Sequence, residues 1–490
     1  MKILRRYAFF LILLPLFVLV HLEKELPGLI HYHFIYDRLL VLFLLPFLFT
    51  GLSYLLYKNW KSAALLGFAL SAWAFFLGDI KNKLSEQFPE VIWSRYSFLF
   101  AISILLLFLI GIWIKRRKQN HSSTFFFLNI LFLIFVLVDI SMIYDGQVRG
   151  RYQMKETELT PSANLADSSK PDIFYIIFDA YAASSTLRSE FDYDNSPFEQ
   201  ALTVKGFHVF PGSRSNYNYT AFSLSSVFHL QYMANADTVN KIHDREYLQA
   251  LKTVQENTLV PFLTQEGYAI HNHSLFDIKG HPTTRTRSDK WGIRELYDQY
   301  NIFFKFTRDL NHQLPGWMTN PVMDDRFFVN EQKNRQVYDS LVYRDLLQSA
   351  SYPGPRPRFI YAHFLTPHPP FHLDSLGRPI PQQEFDIKKG YVHQIARINR
   401  FISQLTDTLQ KPRTRPLVII LQGDHGYTTV TDKVLKKERM FSNLQAWYFS
   451  NRDYEKLPAD LTNVNTFRIL LNTWFKKDLP ILQNEFYFIK

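Results

Sequence analysis

The sequence predicts two parts: an α-helical five-span membrane domain, then an α/β doubly wound domain outside the cytoplasm. Three observations predict it. Five apolar runs crowd the first 145 residues; further on, apolar β-rich runs alternate with helix-like stretches; and most of the cationic excess lies among the first set of runs. Residues 1–120 carry 14 Lys+Arg and 6 Asp+Glu, which is +8 of a net +11. A nucleic-acid binder would carry its excess as a patch on a soluble face, so no nucleic-acid partner is expected. The 490 residues include no Cys, which excludes a disulfide framework, thiolate zinc fingers, cysteine proteases and iron–sulfur clusters.

The apolar runs are Ala8–Leu22, Leu39–Tyr57, Ser62–Gly78, Ser97–Ile114 and Ser123–Val138. A spanning helix needs about 20 residues. The first run is short. The fifth is interrupted by Asp139 and continues through Ile140–Tyr144, which places an acid near a helix end. A cleaved signal peptide is the alternative for the first run, but His21-Leu22-Glu23-Lys24 offers no small-x-small cleavage site. The segments before span one, between spans two and three, and between spans four and five hold nine cations and no acid. Glu23–Arg38 and Asp79–Arg95 hold five cations and six acids. The positive-inside rule then puts the N-terminus inside and everything after about residue 145 outside. The expected division is residues 1–145 as a five-helix transmembrane domain, 146–170 as a polar linker, and 171–490 as the outer domain. That makes the chain a multi-pass protein of the cytoplasmic (inner) membrane with a periplasmic or extracellular domain.

In the outer part, Ile173–Phe178 is a continuous apolar run that reads as a strand buried on both faces. It ends at Asp179. Leu417–Leu421 is a second such run and leads into Gln422-Gly423-Asp424-His425-Gly426. A third, Arg358–His363, leads into Thr366-Pro367-His368-Pro369-Pro370-Phe371. Helix-like stretches such as Asn334–Ala350 and Tyr391–Gln410 separate them, and this alternation predicts a doubly wound sheet. Sites in such sheets lie beyond the carboxyl ends of the strands, where Asp179, His363, His368, Asp424 and His425 fall. Carboxylate and imidazole donors without thiolate suit one divalent metal, Zn²⁺ or Mn²⁺. A strand-ending Asp is equally a helix N-cap when taken alone. Asp179 and Asp424-His425-Gly426 each close a buried strand, and together they favour the metal.

Between these strands, Thr220 opens a helix-like run, Thr220–Phe228. A hydroxyl there faces a positive helix end and unpaired N–H groups; a plain N-cap is the alternative. The Asp179 strand, Thr220–Phe228, Thr366–Phe371 and Gly423–Gly426 together resemble the alkaline phosphatase superfamily. They are most similar to its sulfatase-like branch of membrane-bound phosphoethanolamine transferases and lipoteichoic acid synthases, as is the five-span anchor with an outer domain. The resemblance implies Asp179, Thr220, Asp424 and His425 as metal ligands, with Thr220 also the nucleophile. It implies His368 as the acid/base or phosphate contact. The disulfides of many phosphoethanolamine transferases have no counterpart here, and their later His is matched only by Glu438–Asn443. Arg439 is a candidate anion contact in that stretch, with a solvated charge as the alternative. No Cys-x-Pro-x-Arg or Ser-x-Pro-x-Arg element occurs, which argues against sulfate-ester hydrolysis.

Weaker candidates for substrate contact are Asn218, His363 and His273; His363 is alternatively a core residue or a donor behind the ligands. His271 is considered with His273 because both end an apolar segment. The resemblance implies transfer of a phospholipid head-group phosphate, phosphoethanolamine or phosphoglycerol, through a Thr220 covalent intermediate. The donor would be a membrane phospholipid and the acceptor an envelope glycan or lipid. The alternatives are a phosphoric or sulfuric ester hydrolase of the same fold and a non-catalytic envelope protein that retains it.

Overall fold

The computed structural model describes residues 1–25, 36–88, 91–117, 121–144, 154, 157–161, 166–233, 244–283, 325–351, 354–411, 413–428 and 436–489. Most of the expected linker lies outside them. Two compact units are present, one built on Met1–Arg149 and the other on Gly150–Arg287 with Met323–Lys490.

The first unit is helical: α1 (Lys2–Arg6), α2 (Phe10–Glu25), α3 (Tyr36–Tyr57), α4 (Trp60–Gln87), α5 (Tyr96–Arg116) and α6 (Ser122–Tyr144). Among the described residues four helices are long and apolar enough to cross a membrane: Leu39–Tyr57, Trp60–Ser85, Tyr96–Arg116 and Ser122–Tyr144. The fifth expected span is α2, whose 16 residues fall below the usual spanning length. α4 also outruns its apolar stretch. It carries Asp79 and Lys83 as an i,i+4 pair at 2.7 Å, so hydropathy marks where the apolar face stops and not where the helix does.

With lipid as apolar as leucine, association of such helices rests on close packing and polar contacts. A Cβ on Gly67 would lie 2.2 Å from Thr50 Oγ1, so the glycine lets α4 approach α3. Asn129 of α6, fully buried, accepts from Phe10 N at 2.7 Å and donates to the Leu4 and Tyr7 carbonyls at 2.8 Å each. It thereby satisfies backbone groups left open at the break between α1 and α2. Ten residues on, Asp139 meets both His21 Nδ1 and Lys24 Nζ at 2.8 Å. Two polar contacts thus tie the short α2 to α6.

The second unit is one six-stranded sheet in the order β2-β6-β5-β1-β4-β3. Its strands are β1 (Asp172–Phe178), β2 (His208–Val209), β3 (Ala269–His273), β4 (Arg358–Phe364), β5 (Leu417–Gly423) and β6 (Gln445–Phe449). β5, β1, β4 and β3 are parallel neighbours, while β6 and β2 form an antiparallel edge. Among the described residues its helices are α7 (Ser184–Phe191), α8 (Ser196–Val204), α9 (Thr220–His229), α10 (Asp244–Gln255), α11 (Leu259–Gln265), α12 (Asp325–Ser351), α13 (Ile387–Leu409), α14 (Lys436–Phe441) and α15 (Thr466–Phe475). Phe174, Ile176 and Phe178 of β1 pack with α12 and α13, whereas Ile173, Tyr175 and Ile177 pack with α9, α11 and α15. Strand side chains alternate between faces; because both faces are covered, the sequence reads as an unbroken apolar run.

The helical unit supplies a direct test. Asn129→Leu keeps the volume but orphans three backbone groups, each at a cost of about 1–3 kcal/mol. The thermal midpoint in detergent, followed by circular dichroism, should fall by several degrees. An unchanged midpoint would show that α6 does not hold the α1–α2 break.

Candidate metal centre

β1 and β5 pair in register so that Phe178 stands opposite Gly423. The next residue on each strand is an aspartate, so Asp179 and Asp424 emerge side by side at the carboxyl end of the sheet. Asp179, Asp424 and His425 are all buried and each offers a ligand atom within 4.8 Å of the others. His425 Nε2 lies 3.7 Å from Asp179 Oδ1, 3.5 Å from Asp424 Oδ2 and 3.3 Å from Thr220 Oγ1. Around a tetrahedral ion with bonds near 2.0–2.1 Å, neighbouring ligand atoms sit about 3.4 Å apart. The three distances from His425 Nε2 therefore already match ligand-to-ligand spacing.

Their hydrogen bonding points the same way. Asp179 Oδ1 and Asp424 Oδ2 are buried and accept no hydrogen bond. Asp424 Oδ1 is used, accepting from Ala180 N and from His425 N at 2.9 Å each. His425 Nδ1 donates to the Gly426 carbonyl at 2.8 Å; a carbonyl only accepts, so the proton sits on Nδ1 and Nε2 keeps its lone pair. Two orphaned carboxylate oxygens in a desolvated site are costly unless a cation meets them. The residues present fit a divalent ion with oxygen and imidazole ligands.

Each element is held from behind. A sharp turn follows β1, with Ala180 at φ +60°. Tyr391 of α13 secures it, donating to the Ala180 carbonyl at 2.7 Å and accepting from Ala182 N at 3.0 Å. The Asp424 turn is gripped by Ser223 Oγ, which donates to the Asp424 carbonyl at 2.5 Å. Asn463 Nδ2 donates to the Gly423 and Asp424 carbonyls at 3.1 and 3.0 Å. Asn443, itself held by Ser213, also donates to the Gly423 carbonyl. A Cβ on Gly426 would sit 2.2 Å from the Arg439 carbonyl oxygen, so glycine alone permits this turn to pack on α14. Thr220 is the first residue of α9, reached through extended Tyr219, and its hydroxyl faces the centre from the positive helix end.

Histidines and Arg335 stand around the carboxylates. Burial alone would raise the Asp179 carboxyl, but His368, then His363 and His425, outweigh it and hold the group well below the usual carboxylate range. His368 follows β4. Burial lowers its pKa; Asp179 opposes that shift, and Arg335 reinforces it. Its Nδ1 lies 2.9 Å from Arg335 Nη1 and 2.8 Å from the Pro369 carbonyl. The loop carrying it is anchored on Asp339 of α12, which accepts from Leu365 N, Thr366 N and Thr366 Oγ1 at 2.8, 3.1 and 2.5 Å.

The weaker candidates are placed elsewhere. His363 is 0% exposed, with Nε2 3.9 Å from Asp179 Oδ2 and Nδ1 3.2 Å from the Tyr361 hydroxyl. It stands behind Asp179 within the core and is not open to substrate. His273 contacts α12, with Nε2 3.2 Å from Ser349 Oγ and Nδ1 3.8 Å from Asp345. Asn218 is buried and its amide is engaged at both ends by the Ile489 backbone, at 2.9 and 2.8 Å. The amide thus serves the Ile489 backbone. Arg439 forms an ion pair with Glu190, which supersedes a solvated charge. Asn443, Asn463, Tyr391 and Asp339 were not apparent from the sequence. Their partners are backbone atoms far along the chain, and no spacing announces them.

A family model described as Sulfatase matches residues 171–473. Comparison with curated proteins yields no match. Among solved structures, the chain is similar to the integral membrane lipooligosaccharide phosphoethanolamine transferase EptA from Neisseria meningitidis. The identity is 14%, with 96% of each chain covered and a TM-score of 0.40. It is also similar to the periplasmic domain of EcEptC from Escherichia coli in complex with Zn, at 14% identity over 67% of this chain and 88% of that one, TM-score 0.38. The phosphonate monoester hydrolase of Agrobacterium radiobacter matches at 10% identity over 62% and 74%, TM-score 0.38.

Asp339 gives the site a pH signature. Burial pushes its carboxyl up to about 6 from 3.8, against the hydrogen bonds from Thr366 and Leu365 and the charge of Arg397. A carboxyl raised on folding holds a proton that the unfolded chain would release. Its stability contribution is therefore full below about pH 3.8 and lost as pH rises through about 6. The loss is on the order of 3 kcal/mol. The thermal midpoint of the wild type relative to Asp339→Asn should fall across that window. A difference independent of pH there would show that Asp339 does not titrate in it.

Proposed function

The chain belongs to the sulfatase family, within the alkaline phosphatase-like superfamily, and on that premise we propose that it is a metal-dependent, membrane-anchored phosphotransferase. The reading has Thr220 carry phosphoethanolamine or phosphoglycerol from a membrane phospholipid to an envelope glycan or lipid. The observation that carries it is the convergence of Asp179, Asp424, His425 and Thr220 donors around two orphaned carboxylate oxygens. We take the first unit as the anchor, with five spans, the N-terminus inside and the second unit on the outer face; the four qualifying helices and the distribution of cations support this.

Asp179, Thr220, Asp424 and His425 would hold Zn²⁺ or Mn²⁺. The bound ion would neutralise the carboxylates, polarise a phosphoryl oxygen and favour the ionised hydroxyl. Thr220 enters as the alkoxide, its proton released to solvent. Oγ1 attacks phosphorus, the Oγ1–P bond forms, and the bond from phosphorus to the diacylglycerol oxygen breaks. His368, as the imidazolium with Nδ1–H donating to the Pro369 carbonyl, would give its Nε2 proton to that oxygen and end neutral. In the second half the acceptor hydroxyl returns a proton to His368 as its oxygen attacks phosphorus, and Oγ1 leaves. Helix α9 presents its N-terminal N–H groups toward the transferred anion. The missing Cys and the missing Ser-x-Pro-x-Arg element weigh against sulfate esters as substrates despite the family's name.

Incubating the purified protein with a phospholipid donor should add the head-group phosphate mass to Thr220, read by mass spectrometry. Thr220→Ala should abolish the adduct and lower transfer by about a thousandfold or more; full turnover in this variant would refute the covalent scheme. Asp424→Asn should weaken Zn²⁺ binding by about 10–100-fold or more, measured by metal titration, and unaltered affinity would sink the assigned ligand set. Release of soluble product from a chromogenic phosphodiester without acceptor would instead favour a hydrolase.

A further inference from the structure

The segment after α15 does more than end the fold. From Leu479 to Ile489 it forms no helix and no ladder, yet asparagine side chains hold its backbone at intervals. Asn472 clamps Leu479 with paired bonds of 2.8 Å. Asn465 clamps Leu482 with paired bonds of 3.0 Å. Tyr232 Oη donates to the Gln483 carbonyl at 2.6 Å and accepts from Glu485 N at 3.1 Å. Further contacts fall on the run that leads into Thr220. Asn216 Nδ2 donates to the Glu485 carbonyl and Tyr487 N donates to the Asn216 carbonyl, both at 2.9 Å. Asn218 clamps Ile489 at 2.9 and 2.8 Å.

Side chains follow the same path. The rings of Tyr217 and Tyr487 stack with centroids 5.3 Å apart and planes 14° from parallel. Ile489 is buried in a small core with Tyr217, Ala221 and Phe222, residues that flank Thr220 on both sides. Asn216 Oδ1 also accepts from Val464 N at 2.9 Å, next to Asn463, which grips the Asp424 turn. One segment therefore braces the threonine and touches the support of the aspartate.

We propose that Leu482–Ile489 is a positioning strap for Thr220, acting through Asn216, Asn218 and the Ile489 plug. Asn216 and Asn218 exchange four hydrogen bonds with the strap, so its removal loosens the peptide that aims Oγ1. Displacing a reacting group by about 1 Å costs on the order of a hundredfold in rate. Among the described residues no hydrogen bond or ion pair joins Asp179, Asp424 or His425 to the strap, and they keep their own supports. This inference rests on Thr220 being the nucleophile, and its test separates the two ideas.

The full-length protein is compared with Asn218→Ala, with a deletion of residues 482–490, and with Asn472→Ala, which breaks an identical clamp at the far end of the segment. Asn218→Ala and the deletion should lower kcat for transfer from the phospholipid donor by about 10–100-fold. KM should change little and Zn²⁺ stoichiometry should hold. Asn472→Ala should stay within about twofold of wild type. Amide hydrogen exchange over residues 216–222 should speed up in Asn218→Ala and not in Asn472→Ala. Equal kcat values for Asn218→Ala and Asn472→Ala, or loss of Zn²⁺ in parallel with kcat, would overturn the strap. If wild type forms no Thr220 adduct, the transferase reading fails; the exchange experiment then still decides the strap, and unchanged protection at 216–222 in Asn218→Ala refutes it.

Discussion

The parallel register of β1 on β5 is the constraint on which the second unit depends. It forces Asp179 and Asp424 out of the sheet as neighbours, in a site too buried for water to dissipate two like charges. Every surrounding feature answers that repulsion. Ala180 N and His425 N stabilise one oxygen of Asp424. Three imidazoles surround Asp179. What hydrogen bonds do not cover are the two oxygens that face each other's side of the site. A site built this way is poorly stabilised without a cation and well suited to one.

The strands that carry the site were legible because burial on both faces removes alternation. Ile173–Phe178 and Leu417–Leu421 read as apolar blocks; Asp179 directly follows the first, and Gln422-Gly423 lead from the second to Asp424. β6 was not anticipated: its antiparallel pairing with β5 leaves no mark on Gln445–Phe449 that separates it from any short apolar stretch. In the helical unit, hydropathy located the runs but not the helix ends. α4 runs past Gly78 on charged residues, and α2 is held by Asn129 and Asp139 and not by its own length. A polar residue within an apolar run can be read as an interruption. Only tertiary structure shows it to be an attachment.

The site's supports were illegible for a related reason. Asp424-His425-Gly426 is compact because two candidate ligands and the glycine that admits the turn share one loop. Asn443 and Asn463 reach that loop from 17 or more residues away, and their targets are carbonyls, which every sequence possesses. Side chain to backbone contacts specify geometry without specifying a partner residue. Asn218 shows how little position reveals: an amide two residues before Thr220 reads as a substrate contact, while its donor and acceptor both meet Ile489.

Asparagine is the common device, and its chemistry explains why. One planar amide offers a donor and an acceptor that match a peptide unit, so a single residue can hold a passing chain as a neighbouring strand would. Asn472, Asn465 and Asn218 each do this to the terminal segment. A true strand there would need a continuous partner edge, and the loop before Thr220 must instead turn sharply into α9. Discrete amides allow the chain to be held at chosen points while the backbone between them follows the turn. The threonine is thereby fixed by contacts spread over sequence-distant segments, as is the pair of carboxylates it faces.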